Sequence, residues 1–261
     1  MGDLADDINE VFSLQSSVYK AIEMLAERTD PDQSTEDVMI PPWVLQQAEG
    51  IVFMWTYKVG MFLSFSAGNG LVMRKRRGPG NESRWSLPSA IAFGGAGGGF
   101  DFGAACSSVI IVLNTREAVE HYSGSHVKLS LDAQACAGPA GRAVEGSVNV
   151  KVTEQMDNVV ASQCYAYGTS EGLFAGAGAH ATWIAAKDDQ NEEYYRRPMS
   201  AAEILSTFGH DAGEMGRRHE EIFRLHEALE AAERGAGGGA YERSRSAFNK
   251  AGSAEARGTP F

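Results

Sequence analysis

The stretch WSLPSAIAFGGAGGGFDFGAACSSVIIVLN, Trp85 to Asn114, decides how the rest of the chain is read. Gly94, Gly95, Gly97, Gly98, Gly99 and Gly103 stand between apolar runs. Bare backbone of that kind lets chains approach where any Cβ would clash. A cradle for nucleotide phosphates is the first function to weigh against it. The run has no Gly-Lys-Ser or Gly-Lys-Thr ending, and Phe100 falls where the last glycine of a G-x-G-x-x-G pattern belongs. Asp101 follows directly and would repel an anion. The stretch therefore reads as a tightly packed sheet crossing or turn.

Outward from it, the chain has the size and composition of a soluble globular protein. Its 261 residues suffice for one sizeable domain with extensions, and 43% of them are hydrophobic against 22% charged. A net charge of −11 excludes a general nucleic-acid binder, which needs an excess of lysine and arginine against phosphate. An anionic partner must be met by a local basic patch. Cys106, Cys136 and Cys164 are widely spaced, without a C-x-x-C, which argues against a disulfide framework or zinc site and for a reducing compartment. The acidic start, MGDLADDINEVF, is neither a secretory nor a transit signal, and Asp6 stands where a myristoylation motif needs Ser or Thr. No apolar run approaches membrane-spanning length.

In order, residues 3–27 read as an amphipathic helix, with Leu4, Ile8, Val11, Phe12, Val18, Tyr19, Ile22 and Leu25 at helical spacing and an acidic opposite face. The polar linker 29–35 precedes a short helix that opens at Pro41-Pro42 and stops at Gly50. From Ile51 the period changes: IVFMWTY, MFLSFS and GLVMRK read as short strands joined by tight turns at Gly60, Gly68 and Gly70. Val109 to Leu113 reads as a strand buried on both faces, and Asn114-Thr-Arg-Glu117 as a capping box. Residues 127–135, 148–152 and 173–183 alternate apolar with polar or small groups. The last of these makes a wall so poor in bulk that a helix or second sheet must press against it. A second capping box begins at Ser200, and residues 214–234 form a helix with Ile222, Leu225, Leu229 and Ala232 on one stripe, a candidate for self-association. The expected class is α+β: a curved, barrel-like antiparallel sheet with helices at its N- and C-terminal sides. The boundaries are 1–35 for the N-terminal helix and linker, 36–208 for the domain, 209–234 for the C-terminal helix and 235–261 for a flexible tail.

Catalytic patterns are missing. There is no H-E-x-x-H, no G-x-S-x-G elbow and no cysteine in a nucleophile's context. The acidic run Asp188 to Glu193 lacks the spacing and central glycine of a calcium loop and reads as a solvated turn. The chain is expected to be no enzyme, with no cofactor, metal ligand or nucleic-acid partner. What stands out is positive: Arg74-Lys75-Arg76-Arg77, followed by a polar hairpin tip and Arg84, is the densest basic cluster in an acidic chain.

An ordered set of motifs resembles the SYLF domain, the yeast actin-binding type. These are IPPWVLQQAEGI at 40–51, Lys58-Val59-Gly60-Met61-Phe62, Gly68-Asn69-Gly70, and WSLPSAI at 85–91 with the glycine run into Phe100 and Leu113-Asn114. AGPAGR at 137–142, SEGLFAG at 170–176, Tyr194-Tyr195 and Glu203-Ile204-Leu205 complete the set, over about two-thirds of the chain. The resemblance implies a non-enzymatic domain that binds phosphoinositide-containing membranes and, in fungal members, actin filaments. Such a protein is cytoplasmic, peripheral at the plasma membrane or endosomes, and acts in trafficking or endocytosis. Relatives often carry a Src-homology-3 or FYVE module, and neither is legible here. Charge, and no family motif, places the lipid or actin contact on Arg74, Lys75, Arg76, Arg77 and Arg84, with Lys58 alongside.

Overall fold

The structure is a computed structural model that describes residues 13–30, 39–78, 83–124, 126–141, 144–148, 164–208 and 219–235. The element order is α1 (Leu14–Thr29), α2 (Pro42–Gln47), β1 (Gly50–Arg77), β2 (Ser83–Trp85), β3 (Ser89–Leu113), α3 (Arg116–Ser123), β4 (His126–Gly141), β5 (Val144–Val148), β6 (Cys164–Ala186), α4 (Asp188–Tyr195), α5 (Ala201–Ser206) and α6 (Glu220–Glu233). The six strands form one antiparallel sheet in the order β2-β1-β3-β6-β4-β5. The expected α+β class is what is found. Among the described residues the sheet is open and does not close into a barrel, because β2 and β5 end the order and do not pair with each other.

The short strands expected from Ile51 onward are one strand of 28 residues. Gly60, Gly68 and Gly70 do not reverse the chain, because β3 pairs alongside from Gly50↔Leu113 to Val72↔Ser89 and holds it extended. The glycine run of the opening stretch lies inside β3, paired with β1 from Gly94 to Gly98, and Val109 to Leu113 is that strand's last part. The β1–β3 ladder shifts register between Met61 and Leu63, where Phe62 has a φ of 68° and packs its ring edge-on against Phe102 at 4.7 Å, and Gly103, opposite Gly60, has a φ of 118°.

Long as it is, β1 doubles back. A Cβ at Gly70 would collide with the Phe53 carbonyl, and one at Gly68 with that of Trp55. The second half of the strand therefore lies directly on the backbone of the first. Lys75 N–H donates to Glu49 O at 2.8 Å, which ties the two ends together. Both ends are consequently buried on both faces. Ile51, Phe53, Leu71 and Met73 face a core completed by α1, α2 and α6, with Trp85, Leu87, Tyr195 and Ile204. Val52, Met54 and Val72 face a smaller core with Ala118, Val119 and Leu205.

Local signals account for the helix ends. Ser13 caps α1, its Oγ accepting Ser16 N–H at 3.1 Å, so the described helix starts at Leu14; residues 3–12 of the expected helix lie outside the described residues. Pro42 opens α2, whose cap is Ala48, and Gly50 belongs to β1. Thr115, one residue after the expected Asn114, caps α3 through its Oγ1 to Ala118 N–H at 3.2 Å. Ser200 caps α5 as expected, at 3.3 Å from Glu203 N. The acidic run at 188–193 is helix α4 and no turn, with Asp188 and Asp189 in its first turn where the helix dipole favours them. The stripe Ile222, Leu225, Leu229 and Ala232 of α6 is buried in the chain's own core, so it offers no surface for self-association. The strand expected at 148–152 beyond Val148, the helix over 209–218 and the tail after Gly235 lie outside the described residues.

Two outcomes follow from this packing. Gly70→Val forces backbone apart and is expected to cost about 3 kcal/mol or more, whereas Gly98→Ala, whose new Cβ meets only Leu63 Cδ2 at 3.5 Å, costs under about 1 kcal/mol; urea denaturation measures both. His226 on α6 sits with Nε2 3.0 Å from Ser86 O, and burial holds its pKa below the ordinary 6.5. Between those two values the unfolded chain binds a proton that the folded chain refuses. Stability is therefore expected to fall as pH drops through 6.5, and His226→Gln to flatten that part of a stability–pH profile.

Candidate functional site

Four consecutive basic residues on a strand cannot act as one patch, because neighbours point to opposite faces. Arg74 to Arg77 are the end of β1 and no loop, paired with β2 through Lys75↔Trp85, Arg76↔Arg84 and Arg77↔Ser83. Arg74, Arg76 and Arg84 share one face. Lys75 and Arg77 share the other.

Lys75 is a correction to the expected basic surface: it is 3% exposed. Its Nζ donates to Glu233 Oε2 at 2.9 Å, to Leu45 O at 2.8 Å and to Gln46 O at 3.3 Å. Glu233 Oε1 accepts Trp85 Nε1–H at 2.8 Å, and Gln46 Nε2 donates to Glu233 O at 2.8 Å. Burial draws the Lys75 ammonium below the usual lysine range, and the Glu233 carboxylate opposes that shift. Both oxygens and the ammonium have partners, which is the condition under which a buried pair is tolerated. Lys75 therefore pins α6 and α2 to the sheet and lies beneath the surface.

Arg77 leans on the same edge, its Nη2 donating to Gln47 O at 2.7 Å with Glu49 at 3.9 Å; Arg116 reaches Glu49 at 3.8 Å from α3. On the opposite face Arg76 is exposed and lays its guanidinium over the Phe208 ring, 4.3 Å from the centroid. Phe208 is held there by its bridge to Ser86, whose Oγ accepts Arg74 N–H at 2.9 Å. Stacking fixes the plane of Arg76 and leaves the N–H edge free to face solvent. Across the ladder from it stands Arg84, a like charge directly opposite, which a sheet ordinarily avoids. Arg74, Arg76 and Arg84 thus share one face of the ladder, on which Phe208 fixes the guanidinium of Arg76.

Lys58 is not part of it. It pairs with Ala105 near the far end of the doubled-back strand, roughly 30 Å of strand away. Phe208 and Glu233 were invisible as partners in the sequence, since each lies more than a hundred residues from the basic run. The Tyr194-Tyr195 and Glu203-Ile204-Leu205 motifs serve the frame. Tyr194 Oη donates to Glu221 Oε1 and Tyr195 Oη to Pro88 O, both at 2.7 Å, and burial pushes both phenol pKa values up. Among the described residues no group of three His, Cys, Asp or Glu is placed to hold a metal ion, and no helix is long and apolar enough to cross a membrane.

Lys75→Met leaves Glu233 buried without its cation and is expected to cost about 3–5 kcal/mol in urea denaturation. Adding Glu233→Gln, which still accepts the Trp85 N–H, is expected to recover most of that loss.

Residues 94–232 match the Ysc84 family, described as Las17-binding protein actin regulators. Over 221 residues the chain is 32% identical to the SH3 domain-containing YSC84-like protein 1 of Xenopus laevis, across 84% of this chain and 58% of that protein. It is 33% identical over 196 residues to LAS seventeen-binding protein 3 of Saccharomyces cerevisiae, across 74% of this chain and 40% of that protein. The human SH3 domain-containing YSC84-like protein 1 is 30% identical over 195 residues, 74% of this chain and 54% of the relative. The chain thus spans between 40% and 58% of these relatives. No solved structure matches it. The matched span runs from the glycine run of β3 through α6, the helix that Lys75 pins, and the chain belongs to the Ysc84 family, whose SYLF domain its motifs resemble.

Proposed function

We propose that this chain is a non-enzymatic binding domain of the actin cytoskeleton that docks on phosphoinositide-containing membranes through Arg74, Arg76 and Arg84. The observation that carries the reading is the register Arg76↔Arg84, two arginines opposed on a rigid ladder with one of them stacked on Phe208. A guanidinium fixed like that of Arg76 suits phosphate oxygens, which accept paired, charge-assisted hydrogen bonds. In a chain of net charge −11 such a face is a local exception, and a local attraction is all it needs to supply. On this reading the protein works in the cytoplasm, peripheral at the plasma membrane or endosomes, in trafficking or endocytosis.

A second reading is filament binding, in which the same face meets an acidic actin surface. It is favoured by the family's description as actin regulators.

Co-sedimentation separates the two. With vesicles holding phosphoinositide in neutral lipid, the full chain is expected to pellet in a salt-sensitive way. Each arginine contributes about 1 kcal/mol near an anionic surface, so Arg74→Gln/Arg76→Gln/Arg84→Gln is expected to weaken pelleting roughly 100-fold. Unchanged pelleting by the triple variant removes this face from the site. Pelleting with filaments and with no vesicle selects the actin reading.

A further inference from the structure

The two halves of β1 touch where Gly70 meets Phe53 and where Gly68 meets Trp55. Residues 56–67 therefore run out past the last of these contacts and back, with Met61 and Phe62 at the far point. Between Trp55 and Leu71 the strand gives no residue to either hydrophobic core. Yet Val59, Met61, Phe62, Leu63 and Phe65 are all large and apolar, and Phe102 of β3 joins them. The group is contiguous: Met61 pairs with Phe102, the Phe62 and Phe102 rings meet at 4.7 Å, and Leu63 lies against Gly98. Phe62 holds a φ of 68°, a conformation that side chains rarely adopt and that collects at functional sites. These six residues are between 46% and 75% exposed. At about 200 Å² for each in the open, they show roughly 700 Å² of apolar surface, more than the largest patch of an ordinary monomer. A standard interface takes about 800 Å² from each partner, so two such surfaces nearly complete one.

Charge and backbone both point to a second copy as what covers it. The chain carries a net charge of −11, so two copies repel over most of their surfaces. In contrast, β1 over 57–66, β3 over 96–105 and β6 over 172–179 together hold one lysine, Lys58, and one carboxylate, Asp101. These segments pair with one another, so this end of the sheet is neutral. It is also an edge. β3 pairs with one side of β1, and among the described residues no strand pairs with the other side over 59–66. Folds usually blunt an apolar edge with charge or proline, and neither stands on β1 over 59–66. A bilayer suits such an edge poorly, because lipid leaves its N–H and C=O groups unpaired. Another strand pairs them, and a two-fold axis through the sheet sets two copies of one strand antiparallel.

We propose that this apolar edge is a self-association surface. A second copy of the chain seats its own β1 antiparallel beside this one, with Met61, Phe62, Leu63 and Phe65 of the two copies packed together. The arginine face lies beyond the crossing of β1 and takes no part in the contact.

Light scattering on the full chain over a concentration series tests it. The wild type is expected to reach twice the chain mass at micromolar concentration. Met61→Asp and Leu63→Asp/Phe65→Asp alter exposed positions and set like charges across the axis. Each is expected to raise the dissociation constant at least about 100-fold. Arg74→Gln/Arg76→Gln/Arg84→Gln is expected to dimerise as the wild type does, which keeps this result apart from the fate of the arginine face. Hydrogen exchange read by mass spectrometry reports the edge: amides over 59–66 are expected to slow at least about tenfold from dilute to concentrated samples. Slow exchange at Leu225 and Leu229 in each variant shows that the fold persists. A wild type still monomeric at roughly 100 μM is weaker than interfaces of this size and overturns the proposal. So does a dimer that either carboxylate variant leaves intact, or one whose exchange over 59–66 does not change. A monomer that neutral-lipid vesicles hold, and that Leu63→Asp/Phe65→Asp releases, overturns it in favour of a bilayer.

Discussion

The structure depends on β1 lying across its own backbone. A strand of 28 residues is far longer than one small core can cover, so most of its apolar residues would face water if it stayed straight. Doubling back, so that Gly68 and Gly70 lie on the backbone of Trp55 and Phe53, brings Phe53 and Leu71 to one core and Met54 and Val72 to the other. Two separated thirds of one strand then serve as four buried surfaces. The contact is backbone on backbone, and no side chain larger than hydrogen fits there. Everything else in the fold is placed relative to that crossing.

The polar clamp follows from it. With the two ends of β1 side by side, Lys75 arrives under α2 and α6, in a space too dry for an unpaired ammonium. Glu233 answers it from more than 150 residues away, and shares its second oxygen with Trp85. Such a pair adds little net stability over an apolar substitute, yet losing one partner costs several kcal/mol. Its effect is to specify the seat of α6: any other docking of that helix leaves a buried lysine bare. The same helix end also meets Pro42 near Gly235 and gives the Glu233 carbonyl to Gln46.

Much of the frame was legible in the sequence and the rest failed for definable reasons. Helix existence was read correctly from spacing in α1 and α6, and Ser200 from its capping pattern, because these signals are local. The division of β1 into three strands failed because glycine punctuates turns in most contexts, and only the pairing partner shows that Gly68 and Gly70 stay extended. The basic run was visible as charge. Its division was latent in the alternation of a strand, and became readable only when the run proved to be paired with β2. Neither Phe208 under Arg76 nor Glu233 under Lys75 had a local signal.

The geometry also limits how a membrane could be met. Arg76 and Arg84 lie where β1 ends against β2, whereas Leu63 and Phe65 lie about ten residues back along the strand, near 30 Å of extended chain. Screening at physiological salt erases surface charge effects beyond about 8 Å, so the two surfaces cannot reinforce one another through the field. A flat bilayer seated on the arginine face would leave the apolar face in water. An apolar face left in water favours association with whatever apolar surface is nearest.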